Sequence, residues 1–146
     1  MTQTPTYELL DFGDGRKLER FGKAVLFRPC PAAEGVAKSQ PELWQEVTAR
    51  FRGPRTGDGS WAPAPRTWQP AEWQFVHEGA AKFRLQLAAL PSGQVGVFPE
   101  QRDNWDWIAR QVTRIQAEFG RPLKVLNLFA YTGGSTLAAA AAGAEV

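Results

Sequence analysis

Val125-Leu126-Asn127-Leu128-Phe129-Ala130-Tyr131-Thr132-Gly133-Gly134-Ser135 is the stretch that decides the fold class of this chain. An apolar run passes through a Thr-Gly-Gly turn into a segment built from Leu137 and a block of alanines, which Gly143 ends. From Leu123 to Phe129 the run is apolar on both faces apart from Lys124 and Asn127, the pattern of a central parallel strand covered by helices on both sides. Strand, sharp turn and helix form the opening unit of an open α/β domain. The glycines allow backbone angles denied to other residues and let a ligand approach the main chain. The free N–H groups at the helix start favour an anion such as a phosphate or carboxylate, and such sites lie at the carboxyl ends of strands. The residues leave two readings open, a ligand site and a purely structural turn. A phosphate-binding P-loop is excluded, because no Gly-Lys-Ser/Thr ending is present. A dinucleotide fingerprint fits poorly, because Phe129 and Tyr131 stand where early glycines are required.

Working outward, Trp105, Ile108, Val112, Ile115 and Phe119 recur at spacings of three and four and predict a helix over 103–119. Asp103 or Asn104 is placed to cap it, and Gly120 with Pro122 closes it. Upstream the character changes to short strands. Tyr7 to Phe12 and Arg16 to Phe21 flank a Gly-Asp-Gly step that favours a tight hairpin. Ala24 to Phe27 is a further strand, stopped by Pro29-Cys30-Pro31. Residues 41–52 carry Leu43, Trp44, Val47 and Phe51 at helical spacing and predict a short helix opened by Pro41. Residues 53–70 carry Gly53, Pro54, Gly57, Gly59, Pro63, Pro65 and Pro70 and read as a loop, not a regular element. Strands resume at Trp73 to Val76 and at Phe83 to Leu87, which alternate with period two, and Gln94 to Phe98 is expected to run back as a hairpin partner. The expected organisation is a β-rich N-terminal module over 1–98 with a loop at 53–70. It is followed over 99–146 by a linking helix and the start of a Rossmann-like domain. The fold class is thus α/β, with α+β character within this stretch.

Composition narrows the function classes. The chain has 146 residues, 43% of them hydrophobic and 22% charged, which suits a folded globular protein rather than a disordered one. Net charge is +2, so charge alone does not signal a nucleic-acid binder. The first residues lack the basic and apolar regions of a signal peptide, and no apolar run approaches the roughly 20 residues of a membrane helix. One cysteine and one histidine provide no metal-ligand cluster, and the lone Cys30 fits a reducing compartment; a cytoplasmic location is the expectation.

Val125 to Gly134, VLNLFAYTGG, resembles motif I of class I S-adenosylmethionine-dependent methyltransferases, commonly VLDLGCGTGG. Its Asn, Phe and Tyr are similar to the branch that includes bacterial 23S ribosomal RNA large-subunit methyltransferases. Gly96 to Trp105 resembles that branch's G-x-F-x-[DE]-[QR]-x-x-N segment, and the N-terminal YELLDFGDGRKLERFG is similar to its members too. The resemblance implies that Thr132, Gly133 and Gly134 line the methionine end of S-adenosylmethionine. It implies a pocket shaped by Phe129 and Tyr131 and closed by Phe98, Glu100 and Gln101. Asn127 stands where the family has an acid, and it can accept hydrogen bonds without supplying charge. Ribosomal RNA is the implied substrate. The ribose-binding acid and the base-orienting Asp-Pro-Pro or Asn-Pro-Pro expected later in such proteins do not occur within the chain, so catalytic residues are expected beyond Val146. The stretch is accordingly expected to be the N-terminal part of a longer enzyme, inactive by itself.

Several residues admit a plainer role. Glu100 is equally a solvated turn residue or a helix cap. Cys30 could serve C5 methylation of a pyrimidine only as an activated nucleophile, and its position between two prolines favours a passive thiol. His77 has no partner nearby in sequence and reads as a strand-end polar residue. Arg50, Arg52, Arg55 and Arg66 with Trp61 and Trp68 could hold single-stranded RNA, but a solvated arginine loop with tryptophans folded onto the core is the favoured reading. Two alternatives to the methyltransferase remain: an RNA-binding module without catalysis, and a nucleotide-dependent oxidoreductase.

Overall fold

The computed structural model describes residues 7–54 and 57–146. Compactness groups them into two units. One contains the residues up to Trp73 together with Gln86–Gly96, and the other contains Gln74–Leu85 with Val97–Val146.

The first unit is built on a five-stranded sheet in the order β1-β2-β3-β4-β5. Its strands are β1 (Glu8–Gly13), β2 (Arg16–Phe21), β3 (Ala24–Pro29), β4 (Ala49–Arg52) and β5 (Ser60–Ala62). The β1–β2 hairpin turns where predicted. Asp14 and Gly15 both adopt left-handed backbone, at φ 52° and 69°, which is what a two-residue turn compatible with strand twist requires. Pairing is antiparallel throughout except between β3 and β4, where Leu26 faces Ala49 and Phe27 faces Arg50 in parallel. One face carries the core, with Phe21, Leu26, Ala49, Phe51 and Trp61 buried. Glu19 and Arg28 are buried among them. The Arg28 guanidinium donates to Glu19 at 2.6 and 2.8 Å and to the Gly93 carbonyl at 3.1 Å. Lys17 and the Tyr7 hydroxyl satisfy the other carboxylate oxygen. Burial pushes the Glu19 carboxyl up, but the Arg28 and Lys17 charges and hydrogen bonds hold it below the usual range.

The second unit holds the hairpin of β6 (Gln74–Glu78) and β7 (Lys82–Gln86), then α1 (Arg102–Phe119) and α2 (Gly134–Ala141). α1 buries Trp105 and Val112 of the expected stripe together with Ala109, while Ile108 and Ile115 are half-buried and Phe119 is exposed, and Gly120 closes the helix at φ 65°. The mixed α+β content of the fold class is therefore present.

Five local expectations are corrected. Residues 41–52 are not a helix: a 3-10 turn spans Pro41–Trp44, and Ala49–Arg52 is β4. The Thr48 hydroxyl accepts from the Val25 N–H and the Thr48 N–H donates to the Val25 carbonyl, so tertiary pairing overrides the helical spacing. The presumed 53–70 loop contains β5, whose Trp61 is buried and donates to the Leu90 carbonyl. Gln94 to Phe98 is not a strand: Gly93 and Gly96 take φ 78° and 90° and interrupt the extended backbone, although Ala88 donates to Val95 and Leu90 to Gln94. α1 begins at Arg102, and neither Asp103 nor Asn104 caps it; Asn104 instead donates to the Gln101 side chain. Leu123 to Phe129 forms no strand either, only a parallel bridge between Lys124 and Glu145. A fully apolar strand needs neighbours on both edges and cover on both faces. Among the described residues only the Glu145 segment pairs with it, and Leu126, Leu128 and Phe129 are 81%, 74% and 92% exposed.

Candidate ligand site at the 127–135 turn

Within the second unit, the 127–135 turn and the start of α1 enclose a cleft of about 270 Å³. Phe98, Gln101, Phe129, Tyr131, Thr132 and Gly134, all singled out in the sequence, line it together. Leu85, Val97, Trp105, Ala130 and Ser135 line it as well and were not foreseen. Leu85 and Trp105 belong to a strand and a helix face whose periodicity signals only a core. Asn127, Gly133 and Glu100 are not among the lining residues. Glu100 is exposed in the 3-10 turn Pro99–Gln101 that leads into α1.

The turn is held from within. The Asn127 side chain accepts from the Phe129 N–H at 3.3 Å and donates to the Thr136 hydroxyl at 2.9 Å, tying the end of the extended segment to α2. Its polar atoms thus shape the turn. Gly133 donates to the Ala130 carbonyl at 2.7 Å, and its own carbonyl accepts from Leu137. Tyr131 sits in left-handed backbone at φ 48°, a conformation that costs a non-glycine residue about 1–3 kcal/mol. Its ring lies 4.7 Å from that of Phe98 at 33°, and such an aromatic pair contributes about 0.5–1.5 kcal/mol beyond area burial. Packing therefore offsets part of the strain and fixes the cleft wall.

The two glycines do different work. At Gly133 the backbone is left-handed at φ 96° and a Cβ would meet nothing within 4 Å. At Gly134 a Cβ would come within 2.8 Å of the Trp105 ring, so only glycine lets α2 start this close to α1. Trp105 in turn packs edge-on against Phe75, His77 and Phe83. His77 is only 4% exposed, and its Nε2 lies 2.9 Å from Asp106 Oδ1, which also accepts from the Ala80 N–H at 2.7 Å. Its partner is thus far in sequence and one residue from Trp105. Burial pushes the Asp106 carboxyl up, but the Ala80 N–H and His77 outweigh it and hold it below the usual range.

Chemically the cleft offers apolar and aromatic walls with main-chain donors at one end. The N-cap of α2 is Gly133, which brings no side-chain cap to the main-chain N–H groups of the first turn. None of the lining residues carries a charge. Such a site suits a ligand with an anionic end and a flat or apolar body. Among the described residues no cluster of three or more His, Cys, Asp or Glu could hold a metal, and no helix is long and apolar enough to cross a membrane. Cys30 is half-buried with its N–H on the Gly15 carbonyl. Trp61 and Trp68 pack against one another at a tilt of 54°, with Trp68 edge-on to Trp73, in line with tryptophans folded onto the core; Arg55 lies outside the described residues.

No family model and no curated protein matches the chain. Among solved structures it is similar to a SAM-dependent methyltransferase from Agrobacterium tumefaciens, with 37% identity and a TM-score of 0.76. The match covers 99% of this chain and 43% of that one, so the chain spans less than half of that methyltransferase's length. At this identity, over nearly its whole length, the chain shares the fold of the matched part of a SAM-dependent methyltransferase.

Proposed function

We propose that the chain is part of an S-adenosylmethionine-dependent methyltransferase of the class I type, acting on ribosomal RNA, and that the 127–135 turn forms part of its cofactor site. The observation that carries this reading is the cleft at the turn, within a chain 37% identical to a solved SAM-dependent methyltransferase. The donor set fits the cofactor in part. The main-chain N–H groups at the start of α2, where the N-cap Gly133 brings no side chain, suit its carboxylate. The walls of Phe98, Tyr131 and Trp105 suit a flat, apolar body. Nothing charged in the cleft would hold its ammonium, and 270 Å³ is just below the roughly 300–1,000 Å³ of small-ligand sites.

When bound, S-adenosylmethionine supplies an activated methyl group on a sulfonium. This chain's residues contribute positioning and exclusion of water, the main sources of rate for such a transfer. The rigid Phe98–Tyr131 pair holds the wall, Asn127 holds the turn, and the first turn of α2 orients the anionic end. An amide-resolved NMR titration with S-adenosylmethionine tests the cofactor site. Shifts concentrated at Phe98, Gln101 and Phe129–Ser135 are expected, with little response to NAD. Shifts elsewhere, or a stronger response to NAD, would refute it. The substrate is tested separately, by transfer of labelled methyl from S-adenosylmethionine to ribosomal RNA by the whole encoded protein; unlabelled RNA beside a labelled protein or small molecule would reject ribosomal RNA.

A further inference from the structure

We infer that one face of the β2–β3–β4 sheet, carrying Arg16, Arg50 and Arg52 around Phe27, is a docking surface for single-stranded RNA. This rests on the reading of RNA as substrate and assigns the contact to the sheet face that bears Arg50 and Arg52, beside β5, rather than to Arg66. The register brings the residues together. Leu18 of β2 pairs with Phe27 of β3, and Phe27 pairs with Arg50 of β4. Side chains two apart share a face, so Arg16 lies beside Phe27 and Arg52 continues the row beyond Arg50, about 7 Å further along β4. The Arg16 and Arg50 guanidiniums lie 5.6 and 5.0 Å from the centre of the Phe27 ring. Arg50 is also held by a hydrogen bond to the Trp44 carbonyl, and Trp44 meets Phe27 edge-on.

Charge decides the partner. Arg20 on the same face is paired with Glu8, and nearby Lys38, over the Trp44 ring, is paired with Asp14. Among the described residues no carboxylate pairs with Arg16, Arg50 or Arg52. Arg16 Nη1, itself shielded from solvent, has no hydrogen-bond partner among the described residues. Arg16 and Arg50 are half-buried and Arg52 is exposed. Three uncompensated guanidiniums therefore stand in a row on a rigid sheet. Guanidinium matches phosphate oxygens in a planar fork, and its flat face stacks on unpaired bases. A flexible phosphate chain with free bases uses both properties. An anionic lipid surface or an acidic protein uses only the first.

The test is fluorescence anisotropy of a short, end-labelled, mixed-sequence RNA titrated with the protein at several salt concentrations. Three phosphate contacts predict a slope of log K against log salt of about −2, or a roughly 20-fold loss of affinity between about 50 and 200 mM salt. Each of Arg16→Ala, Arg50→Ala and Arg52→Ala should reduce the slope by about 0.7, and the triple variant should weaken binding at least about tenfold at low salt. The corresponding lysine variants keep the charge, so retained salt slopes with weaker binding would support stacking and guard against misfolding. Arg66→Ala should leave affinity unchanged. Loss on Arg66→Ala but not on Arg50→Ala and Arg52→Ala would overturn the assigned face while leaving RNA as partner. Failure of the protein to bind this RNA, or equal binding of phosphatidylserine vesicles through the same arginines, would overturn the proposal without touching the separate methyl-transfer test.

Discussion

Gly133 and Gly134 stand side by side and are glycine for different reasons, and the two can be separated experimentally. Gly134→Ala forces a methyl group against the Trp105 ring at 2.8 Å, an overpacking change that typically costs about 1–3 kcal/mol. Gly133→Ala meets open space but must hold φ near 96°, so its cost is conformational. Thermal unfolding should place both variants below the parent, and only Gly134→Ala should also alter near-ultraviolet circular dichroism from the tryptophan environment. An unchanged melting temperature for Gly134→Ala would contradict the close packing of α2 on α1. Sequence reading recognised the glycine turn but assigned both glycines to the ligand. The contact with Trp105 lies 29 positions away, and no local pattern encodes it.

At the scale of elements, the β6–β7 hairpin is fastened to α1 by one carboxylate. Asp106 accepts from Ala80 and meets His77, and a Cβ at Gly79 would lie 2.0 Å from the Asp106 oxygen. Asp106→Ala leaves the buried His77 and the Ala80 N–H without that acceptor, a loss of about 1–3 kcal/mol. Asp106→Asn should lose less, because its amide oxygen can still accept. Equal destabilisation by the two substitutions, measured by denaturant unfolding, would exclude the hydrogen-bond account. Because the folded carboxyl is held below its ordinary value of 3.8, its contribution is complete above that value. It disappears as pH falls through the lower folded value. The elements themselves were unevenly legible. The β1–β2 hairpin and the presence of α1 are legible, because Asp14-Gly15 and the Trp105–Val112 spacing are local signals, whereas the cap of α1 is not. β4 was read as helix, because its edge pairing with β3 depends on residues more than 20 positions away.

Across the whole molecule, acid sensitivity should converge on three carboxylates. Glu19, Asp11 and Asp106 are all depressed, so each stabilises the fold fully above the ordinary carboxylate range and loses that contribution as pH falls below it. For Asp11, burial pushes upward, but Trp44 Nε1–H and the Gln40, Ser39 and Phe12 N–H groups outweigh it. The melting temperature should therefore be flat near neutrality and fall steeply below about pH 4. A midpoint independent of pH between neutral and about 3 would refute this. Arg28→Ala, which leaves the buried Glu19 carboxylate with Lys17 as its remaining cation, should cost up to about 3–5 kcal/mol, and Glu19→Gln in the same background should recover part of it. Composition and periodicity determined by themselves that this is an α+β chain with an amphipathic helix before a glycine turn, because hydrophobic period and turn chemistry act over a few residues. Only the tertiary structure decided that Asn127 and Gly134 serve the turn itself, that Trp105 and Leu85 wall the cleft, and that Glu19 is buried beside Arg28. Those roles come from contacts between distant segments, whose geometry the order of residues does not display.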